Sequence, residues 1–318
     1  MRAIRVDNST LSTLQTCSTK AVIKYGLHRA VPGAMVAAKV GQAVHSALER
    51  YLADYNAEMA MDTFSVAYQN LELPVDLEPR LLYNNVHDIL IDWFASHGRN
   101  RWPFEFYGDK LELPIEVDLV SDYVNHSTSQ REHAITYTGR IDALVKAKDS
   151  DTWYILDHKT SGNPSTWWAK QFELSSQLTG YIWAVQRMYP ELYIAGAFIN
   201  AIHLGDIPNS NRKCSTHGMK YEDCGLLHLR HHLYGPYLRS RGEITNWLFD
   251  VVLLSNRWRT LLDLVEGNPA VALQAVPQEG RWLYQGCSNC ELSDFCKTGR
   301  QWNMIQAGTI EERWDPTR

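Results

Sequence analysis

Apolar residues recur at helical spacing early in the chain. Over residues 41–59, Val44, Ala47, Leu48, Tyr51, Leu52 and Tyr55 fall on one stripe, which predicts an amphipathic helix. His45 sits at the edge of that stripe, in register with Leu48 and Leu52. Before it, residues 9–30 predict a short helix opening at Ser9 or Thr10, then Cys17, then a basic stretch. Residues 60–107 read as further helices rich in aromatic side chains. The period then shortens. Leu111 to Val120 alternates weakly, Ala134 to Lys146 suits a second strand, and Trp153 to Asp157 is a short buried third one behind a polar turn. Helical spacing returns over 165–189, Tyr193 to Ile202 suits a fourth strand, and 240–267 another helix. Residues 206–225 are polar and irregular, and 286–300 form a cysteine-bearing loop. This order predicts an α/β core with a helical cap. No repeat, low-complexity tract or Pro/Gly linker divides it.

Composition narrows the class. The chain has 318 residues, with 45% apolar and 21% charged, so it is neither disordered nor collagenous nor a coiled coil. Lys and Arg number 31 against 36 Asp and Glu, a net charge of -5. That excludes a histone-type basic coat but leaves room for a local basic groove. No apolar run approaches the ~18 residues of a membrane span, and the N-terminus lacks a signal-type apolar region. A cytoplasmic, reducing setting without membrane contact is therefore the expectation. There, clustered cysteines bind metal or do redox work more often than they form disulfides.

The densest chemistry lies at Asp157-His158-Lys159, where a buried strand ends. Alternate strand residues share a face, so Asp157 and Lys159 point one way and His158 the other. Asp142, in Gly139-Arg140-Ile141-Asp142, ends another apolar stretch. Two acids on neighbouring strands suit Mg²⁺ or Mn²⁺, and a nearby lysine can orient a water and stabilise charge on phosphate. A plain salt bridge between Asp157 and Lys159 is the simpler alternative. Gln177 and Tyr181 lie four apart on one helical face, where an amide and a phenol can touch phosphate or base.

Three thiols fall in the C-x2-C-x5-C run Cys287, Cys290 and Cys296. Such spacing can wrap one metal centre given a fourth ligand, and Cys17 is the remote candidate. Spacing alone accepts zinc or [4Fe-4S].

Together, GRID, YILDHKT and QLTGY in this order resemble the RecB-type branch of the PD-(D/E)XK nuclease superfamily. Gly41 to His45 resembles that branch's upstream G-x-x-x-H helix, and Ser9 to Cys17 its opening. The resemblance implies a restriction-endonuclease-like mixed central sheet flanked by helices, with the cap stapled by the C-terminal cysteines. It implies Asp142 and Asp157 as metal ligands, with His45 and the carbonyl of His158 completing the shell. Lys159 becomes the catalytic lysine, and Gln177 and Tyr181 position DNA or active-site groups. Some relatives place an extra carboxylate before the first acid, where Glu112 and Glu116 lie; Glu116 is the favoured candidate. Cas4-like and AddB-like members carry an N-terminal cysteine with a C-terminal C-x2-C-x5-C on a [4Fe-4S] cluster. By that likeness Cys17, Cys287, Cys290 and Cys296 are the ligands.

The resemblance treats the chain as one nuclease domain, with a cap over 1–107, a core over 108–205 and an insertion plus iron-sulfur segment over 206–318. It implies a metal-dependent DNA exonuclease favouring single-stranded ends, alongside recombination or CRISPR adaptation proteins. A non-catalytic DNA-binding partner and a duplex-specific recombination exonuclease stay open. Cys214, His217, Cys224 and His228 offer zinc donors without a recognised spacing and read as loop residues first. From Arg212 to Arg241 the chain is basic and aromatic, with Lys213, Lys220, Arg230 and Arg239 near Tyr221, Tyr234 and Tyr237. That strip suits single-stranded nucleic acid, or else a solvated loop and helix. No phosphate-binding G-x-x-x-x-G-K-[ST] loop is present.

Overall fold

The computed structural model describes residues 3–119, 135–205, 213, 219–220, 231–283 and 286–317. It forms two compact units, each built from separated segments. The first comprises Met1–Ala34, Pro114–Arg140 and Ser240–Arg318; the second comprises Met35–Leu113 and Ile141–Arg239.

In the first unit, strand β1 (Ile4–Val6) runs parallel to the start of β4 (Ile135–Ala147), pairing Ile4 with Ile135 and Val6 with Tyr137. Helix α1 (Asn8–Thr16) opens on Asp7, not on Ser9 or Thr10. The Asp7 carboxylate accepts from the Thr10 backbone N–H at 3.1 Å and the Thr10 hydroxyl at 2.6 Å, satisfying donors the helix start leaves over. Cys17 ends α1 and precedes the short helix α2 (Ser18–Ala21). Strand β2 (Arg29–Ala30) pairs with the late strand Ile310–Glu311. The long helix Arg241–Gly267 opens on a reciprocal cap between Ser240 and Glu243.

The second unit stacks helices α3 (Val36–Asp54), α4 (Ala57–Gln69) and α5 (Tyr83–Ser96) in one hydrophobic core with strand residues such as Leu156 and Ile202. The helix predicted over 41–59 is thus two. Tyr55 turns left-handed at φ 63°, and Asn56 caps α4 by accepting from the Met59 N–H at 3.1 Å. Strand β3 (Phe104–Asp118) begins inside the stretch read as helical and pairs with β4. Beyond Ala143, β4 runs antiparallel to β5 (Thr152–Ser161), β5 parallel to β6 (Tyr193–His203), and β6 antiparallel to β7 (His231–Leu238). The sheet is therefore mixed and flanked by helices, an α/β arrangement. Two short elements follow β5: helix α6 (Thr166–Ala169) and, after a tight turn, helix α7 (Ser176–Met188). Among the described residues, no helix is long and apolar enough to cross a membrane.

Candidate metal centre and thiol cluster

Everything in the carboxylate site comes from the second unit. Helix α3 reaches it because Gly41 has no side chain: a Cβ there would stand 3.0 Å from the Thr160 hydroxyl on β5. One turn later, His45 Nδ1 lies 3.4 Å from Asp142 Oδ1. Asp142 also accepts the backbone N–H of His158 through Oδ2 at 2.5 Å, which ties β4 to β5 at the site. Glu112 completes the group. One ligand atom each from His45, Glu112 and Asp142 lie within 4.8 Å of one another.

Glu116, the favoured extra carboxylate, is placed differently. It is exposed on β3 and pairs with Arg5 at 3.0 Å, at the surface of the first unit. Glu112 stands four residues earlier with φ 45°, a left-handed backbone rarely adopted by a side-chain-bearing residue. That kink, which departs from strand geometry, breaks the two-residue alternation by which Glu112 and Glu116 would have shared a face. The sequence gives no sign of it.

Asp157 is buried, with Oδ2 2.6 Å from Lys159 Nζ, so these two share a face as the alternation requires. His158 turns away and is also buried, its Nδ1 2.8 Å from the Asn200 amide nitrogen. Gln177 donates to the Tyr181 hydroxyl at 3.0 Å along α7.

The charges are coupled. Burial opposes protonation of His45, but the Asp142 carboxylate outweighs it and holds the imidazole above its usual pKa. Burial likewise opposes ionisation of Asp142, yet His45 and the other nearby cations hold it well below the usual carboxylate range. Burial would strip the proton from Lys159, but Asp157 and Asp142 keep it on. Burial pushes His158 down to about 3, so it is neutral. One imidazole and two carboxylates, in reach of one another and already shifting one another's ionisation, suit a hard divalent cation such as Mn²⁺ or Mg²⁺. His45, Glu112 and Asp142 would hold such an ion, which would supply an acidified water and polarise a phosphoryl oxygen. Lys159, kept cationic, offers a fixed positive charge for an oxygen on which charge develops.

The four clustered cysteines meet in the first unit. Cys17, Cys287, Cys290 and Cys296 line one cavity of about 610 Å³, with Lys20, Arg281 and Lys297 also on its wall. Gly280 is wedged beside them, where a Cβ would stand 3.5 Å from Cys287 Sγ and 3.8 Å from Cys17 Sγ. Burial pushes the Cys290 and Cys296 thiols up, and the neighbouring thiols raise Cys296 further. The four cysteines share this cavity wall, but among the described residues only His45, Glu112 and Asp142 bring three ligand atoms within 4.8 Å of one another.

The basic strip divides. Lys213 and Lys220 face each other in an isolated bridge and are exposed. Arg212, Cys214, His217, Tyr221, Cys224, His228 and Arg230 lie outside the described residues. Tyr234, Tyr237 and Arg239 are committed to the backbone of the second unit, with Tyr234 donating to Pro164 O at 2.5 Å and Tyr237 to Ala169 O at 3.0 Å. For those three, the strip is scaffolding.

The sequence profile of the PD-(D/E)XK nuclease superfamily matches residues 8–297. The chain belongs to that superfamily, whose chemistry is metal-dependent phosphodiester hydrolysis on nucleic acid. It is also similar to the crystal structure of SSO0001, at 13% sequence identity, covering 81% of this chain and 83% of that one with a TM-score of 0.29. At that level the likeness adds nothing to the family assignment. No curated protein matches the sequence.

Proposed function

We propose that this protein is a metal-dependent DNA exonuclease of the Cas4/RecB type that favours single-stranded ends. The observation that carries the reading is the donor set His45, Glu112 and Asp142 beside the buried Asp157–Lys159 pair. In this reading His45, Asp142, Asp157 and the His158 carbonyl hold Mg²⁺ or Mn²⁺, with Glu112 taking the place first given to Glu116. Lys159 stabilises charge on the scissile phosphate, and Gln177 and Tyr181 position the strand. Cys17, Cys287, Cys290 and Cys296 hold a [4Fe-4S] cluster that fastens the two ends of the chain, since a clip closing a long loop removes most chain entropy. CRISPR adaptation or DNA recombination and end processing are the settings that suit such an enzyme.

Labelled DNA should be degraded with Mn²⁺ or Mg²⁺, faster from single-stranded than duplex ends, and not by Asp157→Ala or Lys159→Ala. Absence of degradation on every end type would overturn the enzyme reading and leave a DNA-binding partner. Preference for duplex ends would point to a recombination exonuclease. Anaerobically purified protein should be brown and bleach with reductant; colourless protein carrying zinc would replace the cluster.

A further inference from the structure

Trp167 is 82% exposed. It sits on α6, eight residues past Lys159 in the chain. Its neighbour Trp168 faces inward, with ring centroids 4.9 Å from Phe172 and 6.2 Å from Tyr234. Consecutive helical positions diverge by about 100°, so seating Trp168 projects Trp167 into solvent.

The turn that carries it is held on several sides. Ser165 Oγ accepts the Trp168 N–H at 3.2 Å, and the Gln171 amide donates to Trp168 O at 2.9 Å. Tyr234 holds Pro164 O at 2.5 Å and Tyr237 holds Ala169 O at 3.0 Å. Arg239 donates to Phe172 O at 2.9 Å and to the Thr179 hydroxyl at 2.8 Å. A large indole is usually at least half-covered. Here a rigid scaffold displays it, with the exposed Lys170 three residues further on.

This combination has a use on a nucleic-acid enzyme. A nucleobase stacks on an indole whatever its identity, and a nearby ammonium meets phosphate. Rigid display lowers the ordering cost of the contact. Bases in a duplex are already stacked on one another, so the contact selects unpaired strand. Eight residues span at most about 29 Å, so a strand at Lys159 reaches Trp167 within the roughly 4–16 nucleotides that single-strand grooves cover.

We propose that Trp167 is a base-stacking platform that positions the single-stranded segment of the substrate leading to the site on β5. The proposal rests on the nuclease reading above. Trp167 is a positioning residue and touches no reacting atom.

The test uses full-length protein in EDTA, where DNA is bound and not cut. Fluorescence anisotropy is read with a labelled single-stranded oligonucleotide, the same strand made abasic, and a duplex. Trp167→Ala should weaken binding of the normal strand about tenfold, and leave the abasic strand and duplex unchanged. Trp167→Phe, which keeps a ring, should recover most of the loss. Wild-type affinity of the Ala variant for the normal strand, or equal losses on all three ligands, overturns the platform. If wild-type protein cuts nothing with any metal while the strand-specific loss persists, the nuclease reading fails and the platform stands. If wild-type protein cuts DNA and the Ala variant binds normally, the reverse holds.

Discussion

His158 Nδ1 on β5 and the Asn200 amide nitrogen on β6 meet at 2.8 Å, at directly paired positions of two parallel strands. The amide donates, so the imidazole accepts at Nδ1 and carries its proton at Nε2. Among the described residues that nitrogen is buried without a hydrogen-bond partner. A second proton would force a charge into the core, which is why burial holds His158 down at about 3. His97, stacked on Trp93 at 4.2 Å, is held down at about 4 by burial as well.

Acid should therefore destabilise the fold through these two histidines. Both are lowered in the folded state, so their stabilisation is complete above the unfolded value near 6.5. It drains away as pH falls toward 4 and then 3. Each costs roughly 2 kcal/mol by pH 5. Urea unfolding at pH 7 and pH 5 measures the loss. His97→Phe keeps the stacking and should remove about half of it; an unchanged pH dependence in that variant would exclude His97 as a source.

The stability contribution of His45 should run the other way, while metal binding there should strengthen as pH rises. Its folded-state pKa is raised by Asp142, so its ion pair adds stability below the unfolded value and loses it as pH rises through the folded one. Only the deprotonated imidazole ligates. Mn²⁺ affinity should therefore climb roughly tenfold per pH unit until His45 is neutral. Calorimetric titration across pH checks this. His45→Ala should bind Mn²⁺ more weakly and flatten the dependence.

Much of this site is readable from sequence, for physical reasons. Asp157 and Lys159 share a face because strands alternate, and Gln177 meets Tyr181 because helices bring positions four apart together. The strand containing Asp142, the one carrying Asp157 and helix α7 follow from short-range periodicity, although the strand expected to end at Asp157 runs on to Ser161. What escapes is set by backbone irregularity or distant partners. The choice between Glu112 and Glu116 turns on one left-handed residue in β3. Asn200 becomes part of the site only through its pairing with His158 across two strands. Strand β7 carries Gly235 and Pro236, which blur a strand pattern, and the sequence does not predict it. Tyr234 and Tyr237 read as binding residues because their carbonyl partners lie some 70 residues upstream.

Glu279 should govern how Cys17 faces its partners. It accepts from the Ser18 backbone N–H at 2.8 Å, the Ser18 hydroxyl at 3.0 Å and the Arg257 guanidinium. Ser18 follows Cys17, and Gly280, beside Cys287, follows Glu279. One carboxylate thus fixes both sides of the thiol cavity. Glu279→Ala strands the buried Ser18 N–H and frees a part-exposed arginine, costing about 1–3 kcal/mol. Thermal melting should drop, and any visible chromophore should bleach faster in air. Glu279→Gln, which can still accept one bond, should fall between. An Ala variant as stable as wild type would show that this carboxylate does not organise the cavity.

Gly41→Ala should separate stability from activity. In a helix interior the change from Gly to Ala gains about 1 kcal/mol through reduced backbone freedom. Against that, the new Cβ would stand 3.0 Å from the Thr160 hydroxyl, so α3 or Thr160 must give by a few tenths of an ångström. The two effects oppose, and the melting temperature should move little. The displacement is delivered to His45, one turn along the same helix, whose contact with Asp142 is already 3.4 Å. Nuclease activity and Mn²⁺ affinity should therefore fall by about tenfold, because metal sites tolerate only a few tenths of an ångström of ligand drift. Replacing Thr160 with Ala in the same chain removes the obstructing oxygen and should restore metal affinity while keeping the helix gain. A double variant as weak as Gly41→Ala alone would mean that contact with Thr160 is not what sets the approach of α3 to the site.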